Sequence, residues 1–219
     1  MPKTFLSNLT SFVAILILFT SPCAMAIEEP EYEVLESFEE FEVRRYAPYL
    51  VAEVDVDGDF SEAGNDAFRI LDGYIFGDNS SATKMAMTAP VEARQAEAGE
   101  KMSMTAPVTA TSTDDSNLTT FAFVMEAKYT RETLPVPNDD RVRIRLMPAR
   151  VMAVRRYSGR WTQSNYNRHK ATLRTALDDA GIVLKGEPVL ARYNSPFSLP
   201  MMRRNEVMIE VSLPDVSQG

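Results

Sequence analysis

Apolar and polar residues alternate along several short stretches of the chain, the pattern of strands with one buried and one wet face. Leu50, Ala52, Val54 and Val56 alternate with Glu53, Asp55 and Asp57. Just upstream, Phe41 and Val43 put the apolar positions on odd numbers, so the parity reverses around Ala47-Pro48. A bend or bulge there is expected, because a one-residue slip would otherwise turn the strand inside out. Phe121, Phe123, Met125 and Ala127 alternate in the same way. So do Val142, Ile144 and Leu146 against Arg141, Arg143 and Arg145, and Val207, Ile209, Val211 and Leu213 near the end. Two stretches switch to a helical period. Ser61 is the expected cap of the first, Ala63, Ala67, Ile70, Leu71 and Tyr74 form its stripe, and Gly77 stops it. The second opens at Thr162, carries Tyr166, Leu173, Leu177 and Ala180 on one face, and stops at Gly181.

These elements recur. Gly58-Asp59-Phe60-Ser61 leads into the first helix and Gly159-Arg160-Trp161-Thr162 into the second, 101 residues later. Around each helix the pattern predicts two strands before and two after, over about 31–110 and again over 119–213. A repeat of that length is too long and too few for a solenoid. The polar run from Thr109 to Thr120 reads as the linker between the units. The expected fold class is α+β: a pseudo-two-fold β-structure from two ββαββ repeats, with one helix on each half. A shorter echo lies inside the first unit. Residues 84–91 and 101–108 match at seven of eight positions, with Ala98-Gly99 as the expected turn of a hairpin.

Residues 1–26 read as a cleavable leader rather than part of this fold. Lys3 precedes an apolar run from Phe12 to Phe19, and Ala24-Met25-Ala26 offers the small-x-small cleavage site. Cleavage after Ala26 leaves residues 27–219 as one domain, periplasmic or secreted, with no stable membrane insertion. The only Cys, Cys23, departs with the leader, so neither disulfides nor thiolate chemistry are expected. The 219 residues hold 23 Lys+Arg against 31 Asp+Glu, a net charge of −8 that argues against nucleic acid or an anionic membrane as main partner.

Catalytic constellations are scarce. No Gly-x-Ser-x-Gly, phosphate loop or His-Glu-x-x-His occurs, and Glu39-Glu40, Asp114-Asp115 and Asp139-Asp140 read as solvated loops. No catalytic residue and no metal site is assigned, and an enzyme is not expected. Met85, Met87, Met102 and Met104 sit at spacings that place each pair on one strand face. Thioethers in that arrangement suit Cu(I), but the same parity continues through alanines and valines, so core or pocket lining is the preferred reading. His169, the single imidazole, lies at the margin of the second helix's stripe and is read as structural. Arg44-Arg45, Arg155-Arg156 and Arg203-Arg204 are basic pairs suited to a ligand's carboxylates or to neighbouring strands.

Several segments together resemble the SOUL haem-binding protein family. They are Tyr32-Glu33-Val34, residues 41–54, 58–68 and 73–77, Lys84–Val91, and Arg203-Arg204-Asn205-Glu206-Val207. The resemblance implies a distorted β-barrel of about eight strands flanked by two helices. It also implies non-covalent binding of haem or another porphyrin in a hydrophobic groove near the first helix, without a dependable axial His. The residues here suit that role: Phe60, Phe68, Leu71, Ile75 and Phe76 enlarge the apolar surface of the first helix, and Lys84, Met85 and Met87 follow it. A flat macrocycle on this surface would gain mainly from burial of the ring. A module for another amphipathic small molecule, and a Met-based copper protein of the cell envelope, are the alternatives.

Overall fold

A computed structural model describes residues 27–58, 63–80, 99–112, 118–195 and 197–212. The leader, Phe60, Ser61, Lys84, Met85, Met87 and the first limb of the expected hairpin lie outside these residues. Three strands open the fold: β1 (Tyr32–Ser37), β2 (Glu42–Tyr46) and β3 (Tyr49–Asp57). Helix α1 (Gly64–Phe76) follows, then the short β4 (Asn79–Ser80), β5 (Val108–Ser112) and β6 (Leu118–Val124). The chain continues through β7 (Val136–Pro137), β8 (Arg143–Met147), β9 (Arg150–Tyr157) and helix α2 (Gln163–Asp179). It closes with β10 (Val183–Leu184), β11 (Val189–Arg192) and β12 (Asn205–Ser212).

The main sheet runs β1-β2-β9-β12-β11-β5-β6-β3-β8, with β10 against β12; β4 and β7 form a separate ribbon. All pairings are antiparallel. The fold is α+β, as expected. Exchange β2 with β8, β3 with β9, β5 with β11 and β6 with β12, and the strand order from β2 to β8 reads the same backwards. Each unit is therefore two strands, a helix and two strands, with β5 and β6 both in the first. Thr109–Ser112 and Leu118–Thr120, which the sequence suggests as a linker, are ladder strands paired at Ser112↔Thr119. Threonine is polar but β-branched, and in these strands its strand preference prevails over its loop-like polarity.

The parity reversal at Ala47-Pro48 is a strand break with a change of neighbours. β2 pairs with β1 and β9, whereas β3 pairs with β6 and β8. Six places separate β2 from β3 along the sheet, about 29 Å if it were flat. The two linking residues bridge at most roughly 11 Å. The sheet must therefore curl until its wings approach, and Pro148-Ala149 imposes the same closure between β8 and β9.

One face of the curl carries both helices. Leu50, Ala52, Val54, Phe121, Phe123, Ala153, Val207 and Ile209 meet Ala67, Leu71 and Tyr74 of α1 and Leu173 and Leu177 of α2 in a single core. Met102 is buried in the same core and Met104 packs against it, as core lining by the second Met-x-Met segment requires. α2 begins on a hydroxyl cap, the Thr162 side chain accepting from the Asn165 N–H at 3.2 Å. α1 has Ala63 at that position and no side-chain cap. Gly77 ends α1 with φ +122°, a value only glycine adopts readily.

Candidate functional site

Three surfaces stand out. The first is the outer flank of α1. Its inward stripe consumes Leu71 and Ile75, both buried in the core. Phe68 and Phe76 remain on the outside, 39% and 51% exposed. Phe68 rests edge-on against Phe123, with ring centroids 5.4 Å apart. The C-terminal end of α1 is tied down: Tyr74 donates its hydroxyl to the Pro135 carbonyl at 2.7 Å, and Asn79 donates to the Tyr74 and Glu100 carbonyls. Of the eight residues named from the sequence, the fold thus brings together Phe68, Leu71, Ile75 and Phe76 on one helix, two facing inward and two outward.

The second surface is the hollow of the curl, opposite the helices. One wing is closed by charge and tyrosine. Arg44, almost fully buried, donates to Glu206 at 3.2 and 3.3 Å and to Glu42 at 2.8 Å. Glu206 also accepts from the Tyr193 hydroxyl at 2.5 Å and from Arg204 at 3.0 Å. Burial pushes the Tyr46 hydroxyl up to about 12, and burial together with Glu206 raises Tyr193 further. Tyr46, Met152, Val154, Ala191 and Met208 pack around this network as a second apolar cluster.

The other wing is open. A cavity of about 510 Å³ is lined by the carboxylates of Glu53, Asp55, Glu187 and Glu210 and by Arg143, Arg145 and Arg150, with Met147 and Val189 among the apolar residues. Arg145 reaches Glu53 at 2.8 Å, and Arg143 reaches Asp55 at 2.8 Å. Burial by itself would raise the Asp55 carboxyl, but the Thr120 hydroxyl and Arg143 hold it below its ordinary value. Arg150 donates to the Tyr49 hydroxyl at 2.6 Å, while its buried Nε has no hydrogen-bond partner among the described residues. The sequence signals these arginines only as the polar side of a strand alternation. Their convergence on a cavity depends on the curl.

The third surface is a cavity of about 500 Å³ beside the first described residues. Glu28, Glu29, Glu31, Glu126 and Glu132 line it, with Arg131, around Pro48, Leu50, Met125 and Leu146. Its charge repels carboxylate-bearing ligands.

His169 belongs to none of the three. Its ring stacks on Tyr157 at 4.1 Å, and its Nδ1 accepts from Arg155 Nε at 3.2 Å. Burial, then Arg155 and Arg168, lowers its pKa, so the neutral imidazole is favoured and one nitrogen is already engaged. Among the described residues no group of three or more His, Cys, Asp or Glu is placed to hold a metal ion.

A sequence profile of the SOUL heme-binding proteins matches residues 27–98 and 92–210. The chain belongs to the SOUL heme-binding protein family. No curated relative matches it. Among solved structures, the EcmrR C-terminal domain is 11% identical, with a TM-score of 0.57 over 83% of this chain and 98% of that one. A hydrolase from Listeria innocua is 14% identical, with a TM-score of 0.51 over 81% of this chain and 94% of that one. At these identities the likeness is one of fold. The SOUL assignment suggests haem or another tetrapyrrole as the class of ligand.

Proposed function

We propose that this SOUL-family chain is an exported, non-covalent carrier or buffer of haem or another tetrapyrrole, without catalytic activity of its own. The observation that carries the reading is the outer flank of α1, where Phe68 and Phe76 stand exposed above a core their own helix has already filled. A planar ring laid on these side chains gains from burial at about 25 cal/mol per Å² of apolar surface. Phe60, Lys84, Met85 and Met87 are proposed to complete the groove, Lys84 meeting a propionate. His169 is held by Tyr157 and Arg155, so the iron has no axial imidazole here and metal-free porphyrin should bind nearly as well as haem.

A second placement for the ring is the hollow of the curl, where Arg150 has a buried Nε without a partner among the described residues, while Arg143 and Arg145 are paired with Asp55 and Glu53. Hemin titration followed by the Soret band and by Trp161 fluorescence tests the function. Saturable binding at micromolar ligand is the expected result, and its absence would sink the proposal. F68S/F76S should weaken binding about tenfold or more if the α1 flank holds the ring. An effect of Arg150→Gln in its place moves the ring to the hollow. His169→Ala should leave the affinity nearly unchanged.

A further inference from the structure

The hollow holds two charged side chains that no opposite charge answers. Of the three arginines lining its cavity of about 510 Å³, Arg143 is taken by Asp55 and Arg145 by Glu53, each at 2.8 Å. Arg150 differs. Among the described residues it forms no ion pair. It donates to the Tyr49 hydroxyl at 2.6 Å, and its buried Nε has no partner there. The carboxylates divide in the same way. Glu53 and Asp55 hold arginines, and Glu187 reaches Arg174 at 4.0 Å. Among the described residues the half-buried Glu210 has no hydrogen bond or ion pair at its carboxylate, although its backbone carbonyl accepts from the Lys185 N–H at 2.8 Å.

Strand register sets these two side by side. Met152 on β9 pairs with Glu210 on β12. Arg150 lies two residues before Met152 and shares its strand face. Arg150 and Glu210 are thus diagonal neighbours, with Cβ atoms about 7–8 Å apart in a regular ladder. They do not neutralise each other, because Arg150 is turned to Tyr49. Met147, Met152 and Val189 add apolar wall to the same cavity. A recess of about 60 Å³ shares Arg150, Met147 and Val189 with it and is bounded further in by Val51 and Ala122.

We infer that this cavity is a binding site for a small zwitterion of the α-amino-acid type with an apolar side chain. The ligand's carboxylate meets the Arg150 guanidinium, its ammonium meets the Glu210 carboxylate, and its side chain lies against Met147 and Val189 toward the recess. A ligand with a carboxylate alone would sit among four carboxylates and leave Glu210 unanswered. A ligand with an ammonium alone would leave the buried Nε of Arg150 unsatisfied and would face its charge. Only a molecule carrying both charges answers both groups. The cavity volume lies within the range of small-molecule sites. The site is separate from the α1 flank proposed for the tetrapyrrole ring.

Equilibrium dialysis of the full chain against three probes of one skeleton tests this. They are phenylalanine, phenethylamine, which lacks the carboxylate, and hydrocinnamate, which lacks the ammonium. Phenylalanine should bind saturably at millimolar concentration or below, and each single-charge analogue should bind about tenfold more weakly or worse. Arg150→Gln should weaken phenylalanine about tenfold and leave phenethylamine nearly unchanged. Glu210→Gln should weaken phenylalanine by about the same factor and leave hydrocinnamate nearly unchanged. No saturable binding of phenylalanine at millimolar concentration overturns the inference. So does an analogue that binds as tightly as phenylalanine: phenethylamine would make the hollow a cation site, and hydrocinnamate an anion site. The comparison of probes uses the unsubstituted chain, so it holds even where a variant folds poorly. It is made without hemin, so its failure and the failure of the tetrapyrrole reading are separate results.

Discussion

The two wings of the hollow share one topology and have opposite contents. Arg44 on β2 and Arg145 on β8 hold equivalent places, 101 residues apart. Arg44 is buried under Tyr32 and against Glu206, and its guanidinium is fully engaged. The Arg145 side chain is 55% exposed and faces the open cavity. The equivalent of Glu206, by strand register, is Thr120, whose hydroxyl donates to Asp55 at 2.7 Å. Glu206 thus gathers Arg44, Tyr193 and Arg204 at the centre of one wing, while the other, with Thr120 at that place, keeps an open cavity. Charge divides in the same way along the chain. Residues 27–140 hold 25 Asp+Glu and eight Lys+Arg, whereas residues 141–219 hold six and fourteen. Ion pairs join the two parts: Arg44 to Glu206, Arg145 to Glu53, Arg155 to Glu40 and Arg204 to Glu29.

The largest expected effect tests the closed wing. Glu206→Gln leaves Arg44 and Arg204 facing a neutral group in a buried site and should destabilise the fold by about 3–5 kcal/mol. Glu53→Gln, whose arginine partners are half exposed, should cost about 1 kcal/mol. Denaturant unfolding of both variants checks the contrast, and equal losses would break it. A smaller effect comes from His169 on α2, stacked on Tyr157. Its pKa is lowered by burial and by Arg155 and Arg168, so the unfolded chain takes up the proton first as the pH falls. Stability should therefore decline as the pH drops through about 6.5, the ordinary histidine value, and level off below the folded pKa. His169→Gln should flatten that slope in thermal melts across the same range. The smallest effect separates the helices: Thr162→Ala removes the cap of α2 and should cost about 1 kcal/mol. α1 has no side-chain cap at Ala63 to lose.

Much of the fold is legible in the sequence because it rests on local periodicity. The alternation of β3, β6 and β12 and the stripes of both helices follow from the strand and helical periods. Leu146 departs from its pattern, being 54% exposed, because β8 ends the sheet and has a neighbour on one side only. The site is less legible because its parts are far apart in the chain. Arg44 and Glu206 lie 162 residues apart, and no short-range signal connects them. Leu71 and Ile75 show the limit of reading one helix alone: as apolar side chains they suit a groove, yet the core claims them. Whole-chain net charge hides the segregation of acidic residues before position 141 from basic ones after it.

The short Ala47-Pro48 and Pro148-Ala149 links have a further consequence, for folding. Each unit lends its first strand to the other: β2 pairs with β9, and β8 with β3. The pairing of Glu42 with Val154 closes a loop of more than half the chain, a non-local contact of the kind that slows folding. Neither unit alone can complete its part of the sheet. A chain cut between them should yield two fragments that gain structure only when mixed, the interleaving making the two halves a single cooperative body.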